Sequence, residues 1–187
     1  MGLNAPPAED LGWCIGPPLR ASFLTLLNST DDQLASKAVE LYRERFSTVG
    51  LFENEIYPGV GDCLQSLSRQ GHTLSVATSK PTVFARKIID HFQLMKFFCA
   101  IDGSEMDGTR GDKTSLIGHI LERDQLSPDE ALMIGDRKHD MIGATNNLVR
   151  GIGVLWGYGS SEELMTAGAS VCAKAPGELP DVVDRFS

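Results

Sequence analysis

The chain has 187 residues, enough for one core with a small appended subdomain, and its 42% hydrophobic and 22% charged content is ordinary for a globular protein. A net charge of −8, with Lys and Arg scattered, argues against a polyphosphate backbone, so no nucleic-acid partner is expected. No apolar run is long enough to span a bilayer, and Met1–Asp10, with Pro6-Pro7 and acidic residues, does not read as a signal peptide; a cytoplasmic protein without membrane contact is expected.

In chain order, Pro17-Pro18 marks a loop, and Ser22–Leu27 is a short apolar piece expected to be helical. Thr30-Asp31-Asp32-Gln33 has the capping-box pattern, with Leu34, Ala38, Leu41, Tyr42 and Phe46 at helical spacing behind it. The pattern breaks between Gly50 and Pro58, and alternation then begins. Val60–Gln70 predicts a helix ending at Gly71, Thr73–Ala77 a strand, and Pro81 the first turn of a helix with Phe84, Ile88, Ile89 and Phe92 on one face. Lys113–Arg123 reads as a helix, Ala131–Ile134 as a strand, Met141–Leu148 as a helix and Gly151–Leu155 as a strand. Ser160-Ser161-Glu162-Glu163 is a second capping box, opening a helix that stops near Gly168.

Apolar strands alternating with amphipathic helices predict an α/β fold, a parallel sheet core with helices on both faces. Residues 1–56 form a helical piece and residues 57–187 the α/β domain. The cysteines (Cys14, Cys63, Cys99, Cys172) lie far apart with no C-x-x-C pair; Cys99 and Cys172 sit in apolar runs, and all are expected to be buried small apolar residues in a reducing compartment.

Ligands of open parallel sheets bind outside the carboxyl ends of the strands. The first strand runs into Thr78-Ser79-Lys80-Pro81, the second into Gly135-Asp136-Arg137-Lys138-His139-Asp140, and Gly111-Asp112-Lys113 opens a helix between them. Thr78 can donate to a phosphoryl oxygen and Lys113 can supply a point charge. Asp136 offers the hard oxygen that Mg²⁺ requires; Asp140 could ligate too, or steady Lys113 or a metal-bound water. Each also has a plainer role, Thr78 as a helix N-cap, Lys113 as a solvated lysine, and the aspartates as favourable charges at a helix N-terminus.

Taken in order, Thr78, Lys113 and Gly135-Asp136-x-x-x-Asp140 resemble motifs two, three and four of the haloacid dehalogenase superfamily. Ile15–Leu19, Tyr57–Val60, Val76–Pro81, Gly103–Arg110 and Gly157–Ser160 look like its phosphoglycolate phosphatase-like branch. The resemblance implies a Mg²⁺-dependent phosphatase acting on a small phosphorylated metabolite through an aspartyl-phosphate. It makes Thr78, Ser79 and Lys113 phosphate-binding, Thr78, Lys113 and Asp140 catalytic, and Asp136 with Asp140 the metal site. Residues 1–56 would then be part of a cap that closes over the site, with Gly16–Arg20 reaching towards the leaving group.

The family's first motif, Asp-x-Asp-Gly-Thr after an apolar strand, is expected before the cap, and no such pattern precedes residue 57. The central strand and the nucleophile are therefore expected to be missing from these residues. Glu105-Met106-Asp107-Gly108-Thr109 imitates the motif but follows Thr78, where the family has its connection into the Lys113 helix. Two rivals stand beside this reading. A receiver-type signalling domain has its acidic pair first and its lysine last, the reverse of the order here; a homologue that binds phosphate or metal without turnover is the stronger rival.

Overall fold

A computed structural model of the chain describes residues 6–186, so the reading of Met1–Asp10 falls partly outside the described residues. The chain divides into two compact units, Met1–Asn54 and Glu55–Ser187.

The first unit holds α1 (Leu19–Leu26) and α2 (Asp32–Phe46), with 3-10 turns at Ala8–Cys14 and Gly50–Phe52. Pro18 caps α1 with φ −55°, the value its ring imposes. The expected capping box at Thr30 gives way to Asp31, whose Oδ1 accepts from Gln33 N at 2.8 Å and Leu34 N at 3.3 Å. A carboxylate accepts more strongly than a hydroxyl and also favours the positive end of the helix. The buried face of α2 is shifted as well: Ala35 and Ala38 are buried, whereas Leu41 and Tyr42 are exposed. Tyr42 instead stacks on Phe46 at 5.1 Å between ring centroids and meets Phe23 edge-on at 6.2 Å.

The second unit alternates α3 (Val60–Arg69), β1 (Ser75–Pro81), α4 (Thr82–His91), β2 (Ala100–Ser104), α5 (Lys113–Asp124), β3 (Leu132–Gly135), α6 (Lys138–Asn146), β4 (Arg150–Val154), α7 (Ser161–Thr166), β5 (Ala169–Ala173) and α8 (Leu179–Asp184). Every strand pairing is parallel, as expected. The strands lie in two groups, β1–β2 and β3–β4–β5.

Side chains of β3 alternate between faces. Leu132 and Ile134 pack on a core of Cys63 and Leu67 from α3, Ile152 and Val154 from β4, and Leu179 and Val183 from α8. Met133 points the other way, onto Ile117 of α5, Ala144 of α6 and Val149. Helices therefore cover both faces, and each fully buried Leu, Ile or Val contributes roughly 1.5–3 kcal/mol. In β4, Gly153 allows close approach of the next layer, since a Cβ there would stand 2.7 Å from Cys172 Sγ and 3.0 Å from Leu164.

The strand expected at Thr73–Ala77 starts at Ser75 and runs on to Pro81, and β2 and β5 were not foreseen. Cys99, read as buried, is exposed, with its sulfur 3.1 Å from Ser75 Oγ; all four cysteines are free.

Candidate active site

The carboxyl end of β1 is irregular. Its register with β2 is regular from Ser75 to Ala77 and shifts before Pro81, so Thr78, Ser79 and Lys80 form a bulge of the kind that re-aims side chains beside active sites. The end of β2 fixes that bulge: Ser104 Oγ donates to Ser79 O at 3.1 Å, and Gly103 N donates to Thr82 Oγ1 at 3.1 Å. Gly103 has no room for a Cβ against the Lys80 carbonyl. Within the bulge, Thr78 Oγ1 accepts from Lys80 N at 3.2 Å, which leaves the hydroxyl proton to donate elsewhere. Burial pushes the Lys80 ammonium below its ordinary pKa.

Lys113 is the first residue of α5, behind the N-cap Asp112, whose carboxylate accepts from Ser115 N at 2.9 Å. Its Nζ donates to Ala77 O at 2.6 Å and pairs with Asp140 Oδ1 at 2.7 Å. The pair is nearly dry, with side chains only 10% and 8% exposed. The second oxygen of Asp140 accepts from Arg137 N at 3.1 Å. Two glycines permit this approach: a Cβ on Gly135 would overlap Asp140, and one on Gly143 would stand 2.6 Å from Lys113 Cβ.

Asp136 opens the short connection after β3. Its Oδ2 accepts from Tyr158 N at 2.9 Å, and its backbone carbonyl accepts from Gly159 N at 2.9 Å. Its Oδ1 takes no hydrogen bond among the described residues. Next to it Arg137 is buried, and its Nε donates to Glu163 Oε1 at 3.0 Å; the same oxygen accepts from Lys138 N at 2.9 Å. Burial alone would raise the Glu163 pKa, but the Lys138 amide and Arg137 outweigh it and hold the carboxyl below its usual value.

The five residues singled out from sequence thus take distinct places. Lys113 and Asp140 meet directly, and Lys113 reaches β1 one residue from Thr78. Asp136 joins them through Arg137, whose amide Asp140 holds. Ser79 is tied to the fold by its carbonyl. For a metal the donor set is lean: no cluster of three or more His, Cys, Asp or Glu side chains occurs among the described residues. Both Asp140 oxygens have partners within the protein, and Asp136 Oδ1 is a hard oxygen with no hydrogen bond among the described residues. One carboxylate supplemented by water and phosphate oxygens suits Mg²⁺.

Arg137 and Glu163 were not foreseen as part of this region. Glu163 was read as the far half of a local capping box; Ser160 does cap α7, accepting from Glu163 N at 3.0 Å, but the Glu163 carboxylate crosses to α6 instead. The imitation motif lies in an exposed turn, where Glu105 pairs with Arg110 and Asp107 accepts from Thr109 N at 2.8 Å. A polar groove of about 360 Å³ in the helical unit is lined by Arg20, Asp32, Gln33, Ser36, Lys37 and Glu40; its Arg20–Asp32 and Lys37–Glu40 charges pair with each other, and it holds none of the chemistry-bearing residues.

Comparison with known proteins puts this α/β chain in the class of phosphoric monoester hydrolases. The model of the haloacid dehalogenase-like hydrolase family matches residues 1–154, and the chain belongs to that family. It is 48% identical over 164 residues to a 5'-nucleotidase of Pseudomonas aeruginosa, covering 88% of this chain and 74% of that protein. Identity to the tyrosine-protein kinase PtkA of Mycobacterium tuberculosis is 32% over 175 residues, where the chain spans 59% of the relative's length. A phosphoglycolate phosphatase of Vibrio vulnificus is 28% identical over 169 residues, 90% of this chain and 74% of that one. Among solved structures, a predicted phosphatase from Clostridium acetobutylicum superposes with a TM-score of 0.93 at 40% identity, covering 98% of this chain and 84% of that one.

Proposed function

We propose that Thr78, Lys113 and Asp136 hold the phosphoryl group of a small phosphomonoester for Mg²⁺-dependent hydrolysis, with Asp140 fixing Lys113. The observation that carries this is the Lys113 ammonium, bracketed at 2.6 Å by the carbonyl preceding Thr78 and at 2.7 Å by Asp140. An ammonium has three donors, and two are spent on the protein, so the third is held in a fixed direction for a phosphoryl oxygen. The Thr78 hydroxyl, its oxygen already accepting from Lys80 N, donates to another phosphoryl oxygen. Asp136 would hold Mg²⁺, which when bound neutralises charge on the transferring group.

Nucleoside 5'-monophosphates are the substrate class to test first, because the 5'-nucleotidase relative is 48% identical whereas the phosphoglycolate phosphatase is 28% identical. No apolar strand followed by two aspartates occurs among residues 1–56, and the outcome expected for these 187 residues is phosphate binding without release from an ester.

The test uses the full chain with Mg²⁺. Calorimetry with inorganic phosphate should show saturable binding that Lys113→Ala abolishes, and adenosine monophosphate should release no phosphate above a blank. Absence of phosphate binding in the unaltered chain would remove the reading. Turnover lost in Lys113→Ala would place a nucleophile inside these residues.

A further inference from the structure

The segment after β4 approaches Asp136 more closely than chain connectivity requires. Tyr158 N donates to Asp136 Oδ2 at 2.9 Å and Gly159 N to Asp136 O at 2.9 Å, so consecutive amides hold the side chain and the backbone of one residue. Both flanking glycines are there for space: neither has a positive φ, yet a Cβ on Gly157 would overlap the Asp136 side chain and one on Gly159 would overlap its carbonyl. At the base of the same segment, Glu163 accepts from Arg137 Nε and Lys138 N, the next residues along from Asp136. Arg137 N, in turn, donates to Asp140.

We propose that Gly157-Tyr158-Gly159 and Glu163 form a clamp that positions Asp136, holding Oδ2 with a backbone amide so that Oδ1 is presented to a divalent cation in a fixed direction. A carboxylate held through one oxygen has lost its freedom to rotate, so the ordering entropy of ligation is already spent before the metal arrives. A carboxylate fixed in direction suits the near-octahedral shell of Mg²⁺, which tolerates less variation in ligand geometry than that of Ca²⁺. Gly157, Tyr158 N, Gly159 and Glu163 are positioning groups: they act through Asp136 and Arg137. This inference rests on the assignment of Asp136 as the metal ligand, and its test separates the two.

The probe is Mn²⁺, whose free aqua ion gives a six-line electron paramagnetic resonance signal that fades on binding, with Mg²⁺ added as competitor. The 187-residue chain is compared with Asp136→Asn, Gly157→Ala and Tyr158→Ala, with folding followed by circular dichroism. Asp136→Asn should lose binding. Gly157→Ala forces the new methyl group against the Asp136 carboxylate and should weaken binding at least ten-fold with an unchanged helical spectrum. Tyr158→Ala keeps the amide donor and should stay within two-fold of the parent chain. If Asp136→Asn loses the ion while Gly157→Ala binds like the parent, the clamp is refuted and the metal assignment stands. If Asp136→Asn binds like the parent, the metal assignment fails and takes the clamp with it. A strong loss in Tyr158→Ala would move the role to the side chain and overturn the proposal. Should Gly157→Ala not fold, Glu163→Ala replaces it, with several-fold weaker binding expected and parent-like binding counting against the clamp.

Discussion

At the scale of single residues, the Lys113–Asp140 pair sets the character of the site. Both side chains are almost entirely out of water, where removing one partner leaves a buried charge uncompensated. Asp140 retains only the Arg137 amide if Lys113 is lost. Lys113→Met, which keeps most of the side-chain volume, is therefore expected to cost about 3 kcal/mol in urea unfolding. Lys113→Met combined with Asp140→Leu should be less destabilising than the sum of the two single changes, because the second substitution removes the orphaned charge. Additive losses would show that the two side chains act independently, against the geometry described above.

At the scale of elements, α5 is what delivers Lys113, and its start is set by Asp112. The Ser115 hydroxyl and then the Ser115 amide hold the Asp112 carboxyl below its ordinary pKa. A depressed folded value means that the stabilisation is present above the unfolded pKa of about 3.9 and is lost as pH falls through the folded one. Asp112→Ala should thus lower stability by about 1 kcal/mol at neutral pH. The difference from the parent chain should shrink in acid titrations below about pH 4, and a pH-independent difference would assign the effect to something other than the ionised cap.

Elements also show where sequence patterns stop speaking. Helices with a clear apolar face and a terminating glycine were legible, as in α3, which ends before Gly71 at φ +92°, and α7, which ends before Gly168 at φ +106°. Strand β2 was hidden because Asp102 and Gly103 interrupt its apolar run; Asp102 is inward and pairs with Arg123 of α5, a partner no local pattern announces. Strand β5, Ala-Ser-Val-Cys-Ala, is built of small residues that carry little periodic signal. In the candidate site, Thr78, Lys113, Asp136 and Asp140 were singled out by their order along the chain, and the structure brings Lys113 against Asp140 and the carbonyl before Thr78. Arg137 and Glu163 were not singled out, because their meeting spans 26 residues and competes with a plausible local cap.

At the scale of the whole molecule, the strands form two parallel groups whose members β1 and β3 each hydrogen-bond to one neighbour among the described residues. Leu132, Met133 and Ile134 in β3 and Val76 in β1 are only partly buried, whereas β4 is buried from Gly151 to Val154.

The free rims of β1 and β3 carry a consequence for handling the protein in solution. Each has a strand neighbour on one side only among the described residues, although Lys113 takes the Ala77 carbonyl of β1, and an edge of this kind can pair with a strand of another molecule. Crowding therefore pushes this chain towards clumping through its backbone, a tendency that its −8 charge opposes at low ionic strength and that added salt unmasks.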